Sequence, residues 1–379
     1  MKTEIHSGRL PSLDGLRAIS IAMVVMGHSS ATARQLNPSA STVLSWLGEG
    51  GLGVSIFFVI SGFLITTLLT REQRLTQSID LKKFYLRRAF RIFPAFYVYW
   101  LLILALTVLG YVHVSHMDLF SSAVYVWNYV HRTVDTWFLG HTWSLSVEEQ
   151  FYLLWPFVLK LAKAERAKWI ALGVVVFAPF IRLASYFWLP STRPLIGMML
   201  PTRADSLMVG ALLALFAQNA AHCAILKRKT KSTLIPLVAL CFFAIDTILS
   251  RRFKGIYILP VGYTLQNLMI AALVTHVVFH DTTRLGKILN HRILIHVGTI
   301  SYSLYLWQQL FLTPMNTTFM GRFPLNILCA LIAAELSYHI IEKPFLRMRK
   351  RFSNSHSGVS AAAVSTRANA RQIAASASA

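Results

Sequence analysis

Residues 13–30, LDGLRAISIAMVVMGHSS, decide the fold. These eighteen residues carry only Asp14, Arg17 and His28 as ionisable groups, which is the length and polarity of a helix that crosses a bilayer. A charge or an imidazole inside hydrocarbon is costly and by default marks a function. Eleven positions separate Arg17 from His28. That is about three helical turns, so both side chains share a face, roughly 16 Å apart along the axis. The plainer alternative is an arginine that snorkels to the interface and a histidine satisfied in the core.

The rest of the chain agrees with a membrane reading. Of 379 residues, 55% are hydrophobic and only 14% are charged, and the mean hydropathy is +0.53. These values describe an integral membrane protein. The apolar stretches run to roughly 17–25 residues without the alternation of barrel strands, so the expected class is all-α, a polytopic bundle of about ten transmembrane helices. The expected cores are 13–33, 44–70, 92–112, 142–161, 169–189, 203–221, 233–250, 258–279, 295–313 and 323–342. No tandem repeat is visible.

A formal charge of +22 is compatible with nucleic acid or anionic lipid, but its placement follows the connections between helices. Lys82, Lys83, Arg87, Arg88 and Arg91 crowd the second connection, Lys160, Lys163, Arg166 and Lys168 the fourth, and Lys227, Arg228, Lys229 and Lys231 the sixth. With Lys2 and Arg9 at one end and Arg347, Arg349, Lys350 and Arg351 at the other, this positive-inside pattern puts both termini in the cytoplasm. Nucleic acid is not an expected partner; the lipid bilayer is. Arg251, Arg252 and Lys254 interrupt the pattern, either as a substrate-facing patch or because a helix boundary is misplaced there.

Cys223, Cys241 and Cys329 have no companion ligands and read as structural thiols, so neither a disulfide framework nor a metal site is expected. Residues 1–345 form the expected membrane domain, and 346–379 a basic and then Ser/Ala-rich cytoplasmic tail without a packed core. A cleaved leader ending at Ala31-Thr32-Ala33 is the competing reading of the N-terminus. It would discard Arg17 and His28, and Asp14 and Arg17 lie unusually close to the apolar run for a leader.

Four further segments carry chemistry. In GGLGVSIFFVISGFLIT, Gly50, Gly51, Gly53 and Gly62 favour close packing against the first helix over ligand contact. In LKKFYLRRAFRIFPAFY, Arg88 and Arg91 are three apart, with Pro94 expected to open the next membrane helix, so both guanidiniums can project from one face at the cytoplasmic surface. They suit phosphates, or equally anionic lipid and topology control. In HTWSLSVEEQFYLLWP, Ser144, Glu148 and Tyr152 share a helical face, and Glu149 points elsewhere, toward solvent. Glu148 either holds a neighbouring element in place or orients an acceptor hydroxyl. In PTRADSLMVGALLA, Arg203 and Asp205 read as an internal ion pair at the outer edge.

Taken in order, LDGLRAISIAMVVMGH, GVSIFFVISGFLI, RRAFRIFP, WSLSVEEQFYLLWP, RADSLMVGALL, and ISYSLYLWQ followed by EKPF resemble the membrane-bound acyltransferase family 3, of the O-antigen and exopolysaccharide O-acetylase type. The resemblance runs from Leu13 to about Phe345. Single motifs are weak, but six in series are specific. The family's Arg-x10-His falls on Arg17 and His28, its cytoplasmic Arg-x-x-Arg on Arg88 and Arg91, and its Trp-Ser-Leu-x-x-Glu on Trp143, Ser144, Leu145 and Glu148. Some members carry a fused extracytoplasmic hydrolase-like domain. This sequence is expected to lack one, leaving any outer transfer step to the bundle or to a separate protein.

The resemblance implies transfer of an acyl group, usually acetyl, from cytoplasmic acyl-coenzyme A to a hydroxyl of a glycan or lipid-linked sugar at the bacterial inner membrane. Acyl-CoA is then a donor substrate, no cofactor is held permanently, and polysaccharide biosynthesis proteins are possible partners. A sugar hydroxyl needs a base to take its proton as it attacks a thioester, and His28 suits that role. A relay through an acyl-His28 stays open. Arg17 is expected to hold a coenzyme A phosphate or the thioester end, with Asp14 one turn away fixing the guanidinium, and Arg88 and Arg91 to anchor the nucleotide phosphates. A small-molecule acceptor such as a macrolide is the alternative within the family, and a proton-coupled transporter or flippase the alternative outside it.

Overall fold

The computed structural model describes residues 10–34, 36–130 and 137–354. Lys2, Arg9 and the tail after Asn354 lie outside the described residues, as does any reading of them. The described residues are mostly helical, with no strand among them. The long elements are α1 (Pro11–Ala33), α2 (Pro38–Leu47), α3 (Gly50–Thr76), α4 (Leu81–Val108), α5 (His116–Ala123), α6 (Thr142–Trp188), α7 (Leu200–Gln218), α8 (Ala220–Lys229), α9 (Ile235–Phe253), α10 (Tyr263–Phe279), α11 (Arg292–Phe311) and α12 (Leu325–Ser337). A π-turn, Tyr338–Glu342, carries α12 into α13 (Lys343–Asn354).

Each of the ten expected cores is helical over most of its length. Among the described residues, six helical stretches are long and apolar enough to cross a membrane: Pro38–Thr76, Leu81–Val108, Trp137–Trp188, Pro190–Gln218, Gly255–Phe279 and Leu325–Met348. The third has 52 residues. At 1.5 Å per residue it measures about 78 Å, far beyond one crossing of a core of about 30 Å. It is broken at Lys163, whose φ of 59° lies outside the helical region.

Two boundaries differ from expectation. Gly48 and Glu49 separate α2 from α3, where one segment was expected. Pro94 does not open a helix: α4 begins at Leu81, where the Asp80 side chain accepts from the Lys83 amide at 3.0 Å, and runs through Pro94. Arg88 and Arg91 therefore stand seven and ten residues inside a helix rather than in a surface connection.

The centre of the bundle is α1, which packs against α3 on one side and α11 on the other. Small residues allow these approaches. A Cβ on Gly298 of α11 would come within 1.8 Å of the Asp14 carbonyl oxygen, and one on Gly53 within 2.6 Å of that of Ser20. Gly62 was expected against the first helix and instead meets α7, where a Cβ would lie 1.9 Å from the Leu207 carbonyl oxygen. Contacts this tight leave no room for a side chain. They hold α1, α3, α7 and α11 in one register, and the functional side chains project into the spaces those helices leave.

Candidate active site

Two cavities lie back to back in the bundle. The first, about 70 Å³, is lined by Arg17 of α1, Phe57 and Phe58 of α3, Arg88 and Arg91 of α4, Ser144, Glu148, Glu149 and Tyr152 of α6, and Tyr302 and Tyr305 of α11. The second, about 280 Å³, is lined by His28, Gly50, Gly51, Trp127, Trp137, Gly140, His141, Trp143, Tyr305 and Gln309. Val54 and Tyr305 line both. Arg17 and His28 thus share one helix but serve different cavities, as eleven residues of rise between them require.

In the arginine cavity, three guanidiniums meet two carboxylates. Arg88 stacks on the rings of Phe84, at 5.8 Å, and Tyr152, at 5.1 Å. The expected face of α6 is formed: Tyr152 donates to Glu148 Oε1 at 2.9 Å, and Ser61 of α3 donates a short bond to the same oxygen. Glu149 is half-buried and does not point out into solvent. It lines the same cavity, because Arg88 and Arg91 lie within α4 and leave a cationic interior there for a second carboxylate to face. Arg87, by contrast, points away and pairs with Glu72 at 3.0 Å. Asp14 lies one turn before Arg17, outside the residues lining the cavity. Three guanidiniums facing two carboxyl groups in a small space make the cavity polar and positive on balance, a setting that suits a phosphate or an oxyanion.

In the histidine cavity, geometry fixes the form of the imidazole. His28 Nδ1 lies 2.9 Å from Gln308 Oε1. The Gln308 amide nitrogen donates to Gln309 Oε1 at 2.8 Å, and that of Gln309 to the Trp137 carbonyl at 2.7 Å, while the Trp137 indole donates back to the Gln309 carbonyl at 2.9 Å. The Gln308 oxygen can only accept, so Nδ1 carries a proton, and in the neutral ring Nε2 keeps its lone pair. The Trp137 ring lies edge-on to His28 at 5.1 Å. The result is an oriented base beside three tryptophans.

The wall between the cavities is also bonded. Tyr305 OH and Ser144 Oγ are 2.6 Å apart, and Tyr305 donates to the His141 carbonyl at 3.0 Å. Neighbours in sequence, Trp143 and Ser144 face opposite sides of this wall, one toward each cavity.

Arg203 and Asp205 do not pair with each other. Asp205 pairs with Arg182 at 2.9 Å, both fully buried, and accepts from Thr264 at 3.0 Å. Arg203 donates to Ser55 at 2.8 Å and stacks on Tyr263 at 4.2 Å. Two residues apart on a helix, the two side chains point about 200° apart, so one element cannot bring them together. Of the exposed basic group, Arg251 pairs with Glu49 at 2.5 Å and stacks on Trp46, bracing the start of α3, and α9 runs on to Phe253, past the expected end at 250.

The comparisons with known proteins now bear directly on this site. A family model described as an acyltransferase domain matches residues 10–336. The chain belongs to the acyltransferase 3 family. The match spans every residue that lines either cavity. The acyltransferase 3 chain is also similar to the peptidoglycan O-acetyltransferase OatA of Listeria monocytogenes, with 30% identity over 370 residues, covering 88% of this chain and 55% of that protein. It is 31% identical over 371 residues to the O-acetyltransferase OatA of Staphylococcus aureus, covering 88% of this chain and 57% of that one. This chain therefore spans a little over half the length of the curated relatives it matches. No solved structure matches it.

Within the family frame, the motif residues Arg17, Arg88, Arg91, Ser144, Glu148 and Tyr152 come together in one cavity, and His28 and Trp143 in the other. Tyr305, Gln308, Gln309, Trp127, Trp137 and His141 were not singled out from the sequence. A signal existed for two of them: Gln308 and Gln309 are adjacent amides inside an apolar helix, and polar groups there need partners.

Proposed function

We propose that this protein is a membrane O-acyltransferase that moves an acetyl group from cytoplasmic acetyl-CoA to a hydroxyl of a cell-surface or secreted glycan. The family and the names of its relatives support acyl transfer. The observation that carries the reading is His28 held as the Nδ1–H tautomer beside a tryptophan-lined cavity, back to back with a cavity of three arginines. Ten crossings of the inner membrane of a bacterium, with both termini in the cytoplasm, would turn the arginine cavity toward the coenzyme and the histidine cavity outward.

In this scheme Arg88 and Arg91, with Arg17 deeper along α1, draw the coenzyme's phosphates, and the pantetheine arm carries the thioester past Ser144 and Tyr305 to His28. Glu148 and Glu149 face these guanidiniums across the cavity. The acceptor hydroxyl gives its proton to His28 Nε2 as its oxygen attacks the thioester carbonyl. The C–S bond breaks, and the imidazolium returns the proton to the departing thiolate. An apolar, tryptophan-lined surround limits competing attack by water. Sugar rings suit the same tryptophans, whose flat faces take up the C–H side of a pyranose while its hydroxyls reach His28.

Mass spectrometry of surface and secreted glycans from a deletion strain tests the proposal. Loss of acetyl substituents, restored by the wild-type gene and not by His28→Ala, is the expected result. Unchanged glycans in that strain would overturn the glycan acceptor and leave a small molecule as the acyl acceptor.

A further inference from the structure

His141 sits in the wall of the histidine cavity and is 4% exposed. Among the described residues, neither ring nitrogen has a hydrogen-bond partner. Its nearest aromatic hydroxyls are committed elsewhere: Tyr99, edge-on at 5.5 Å, donates to the Phe138 carbonyl at 2.7 Å, and Tyr305, at 5.4 Å, is bonded to Ser144 and to the His141 backbone. Buried polar groups in native proteins almost always find partners, so a buried imidazole orphaned at both ends waits for one that is absent. The fold fixes its place firmly, since the His141 carbonyl accepts from both Ser144 and Tyr305.

We propose that His141 binds the acceptor, clasping a second hydroxyl next to the one His28 activates. A neutral imidazole offers one donor and one acceptor on different sides of the ring, and a hydroxyl can accept from the one or donate to the other. The ligand class is therefore a polyhydroxylated ring with neighbouring hydroxyls, seated among Trp127, Trp137 and Trp143, which line the same cavity. Trp127 is itself anchored, donating to Asp118 at 2.8 Å. This inference rests on the reading of the histidine cavity as the acceptor site. It adds that acceptors lacking the second hydroxyl lose affinity because a buried polar group stays unpaired.

The test uses membranes from a deletion host carrying the full chain at matched abundance, radiolabelled acetyl-CoA as the probe, and the host's own acceptors. His141→Phe keeps the ring and removes both nitrogens; His141→Gln and His141→Asn restore an amide donor and acceptor. Label transfer is expected to fall at least tenfold in the Phe variant and to recover in part with one of the amides, while the Tm of the purified Phe variant stays at or above wild type. A core role predicts the reverse order, with Phe the best tolerated. Transfer within twofold of wild type in His141→Phe, a fall in Tm that tracks the loss of transfer, or amide variants as inactive as Phe would each overturn the inference. Label recovered on something other than a glycan would instead overturn the glycan reading, with the ranking of the His141 variants still readable.

Discussion

His28 Nδ1 donates to Gln308 Oε1 at 2.9 Å, and Gln308 is itself held by Gln309, so an amide pair on α11 sets the protonation form of a histidine on α1. Replacing Gln308 by Leu removes the acceptor and frees the ring to exchange tautomers. One net hydrogen bond is worth about 0.5–1.5 kcal/mol, so turnover should fall by about 2- to 12-fold with abundance maintained. Steady-state rates at saturating donor check this. A Gln308→Leu enzyme with wild-type turnover would show that the bond does not orient the base.

Arg88 and Arg91 line the arginine cavity from one face of α4. Replacing both by Ala should raise the apparent KM for acetyl-CoA, since each charge-assisted contact is worth on the order of 1.5–3 kcal/mol. Lys at both positions should recover only part of that loss, because a point charge does not reproduce the guanidinium fork. Donor titrations on membranes of matched abundance give the answer, and unchanged donor kinetics in the Ala pair would return these arginines to topology control.

The Arg182–Asp205 pair is fully buried and further tied to Thr264 and the Leu259 carbonyl. Asp205→Asn or Arg182→Leu leaves one buried charge uncompensated, at a cost of about 3–5 kcal/mol. Lower yield and Tm are expected from either, and the double variant Arg182→Leu with Asp205→Leu should lie closer to wild type. Thermal melts of the purified variants distinguish this from additive damage.

Topology follows from the basic connections. Reporter fusions after Lys83, Arg166 and Lys229 should read cytoplasm, and fusions near Asn37, Met117 and Arg193 the outer side, because short basic loops are retained inside. Two reversed sites in adjacent connections would break the ten-crossing arrangement and the assignment of the arginine cavity to the cytoplasmic half.

Hydropathy made the helices legible, and helical period placed Ser144 with Glu148 and Tyr152, whereas Arg17 and His28 share α1 but line different cavities. What stayed hidden depends on contacts between distant segments. Arg182 and Asp205 are 23 positions apart, and His28 and Gln308 are 280 apart. Periodicity along one helix says which side chains share a face but not which helix that face meets. Pro94 misled for a local reason: proline often starts a helix, yet α4 keeps its course through it because earlier residues capped by Asp80 have already set the turn. Glu149 misled because its neighbour Glu148 occupies the expected face, while the cavity is wide enough to reach both.

The most direct measurement is acetyl transfer by His28→Ala at wild-type abundance, with donor binding measured in parallel. Loss of transfer by roughly 10²–10⁴-fold with donor affinity kept is the result expected for removing a positioned base. Transfer at a near-normal rate per folded molecule, or a loss explained wholly by lower abundance and Tm, would contradict the account and return His28 to a structural place in the core.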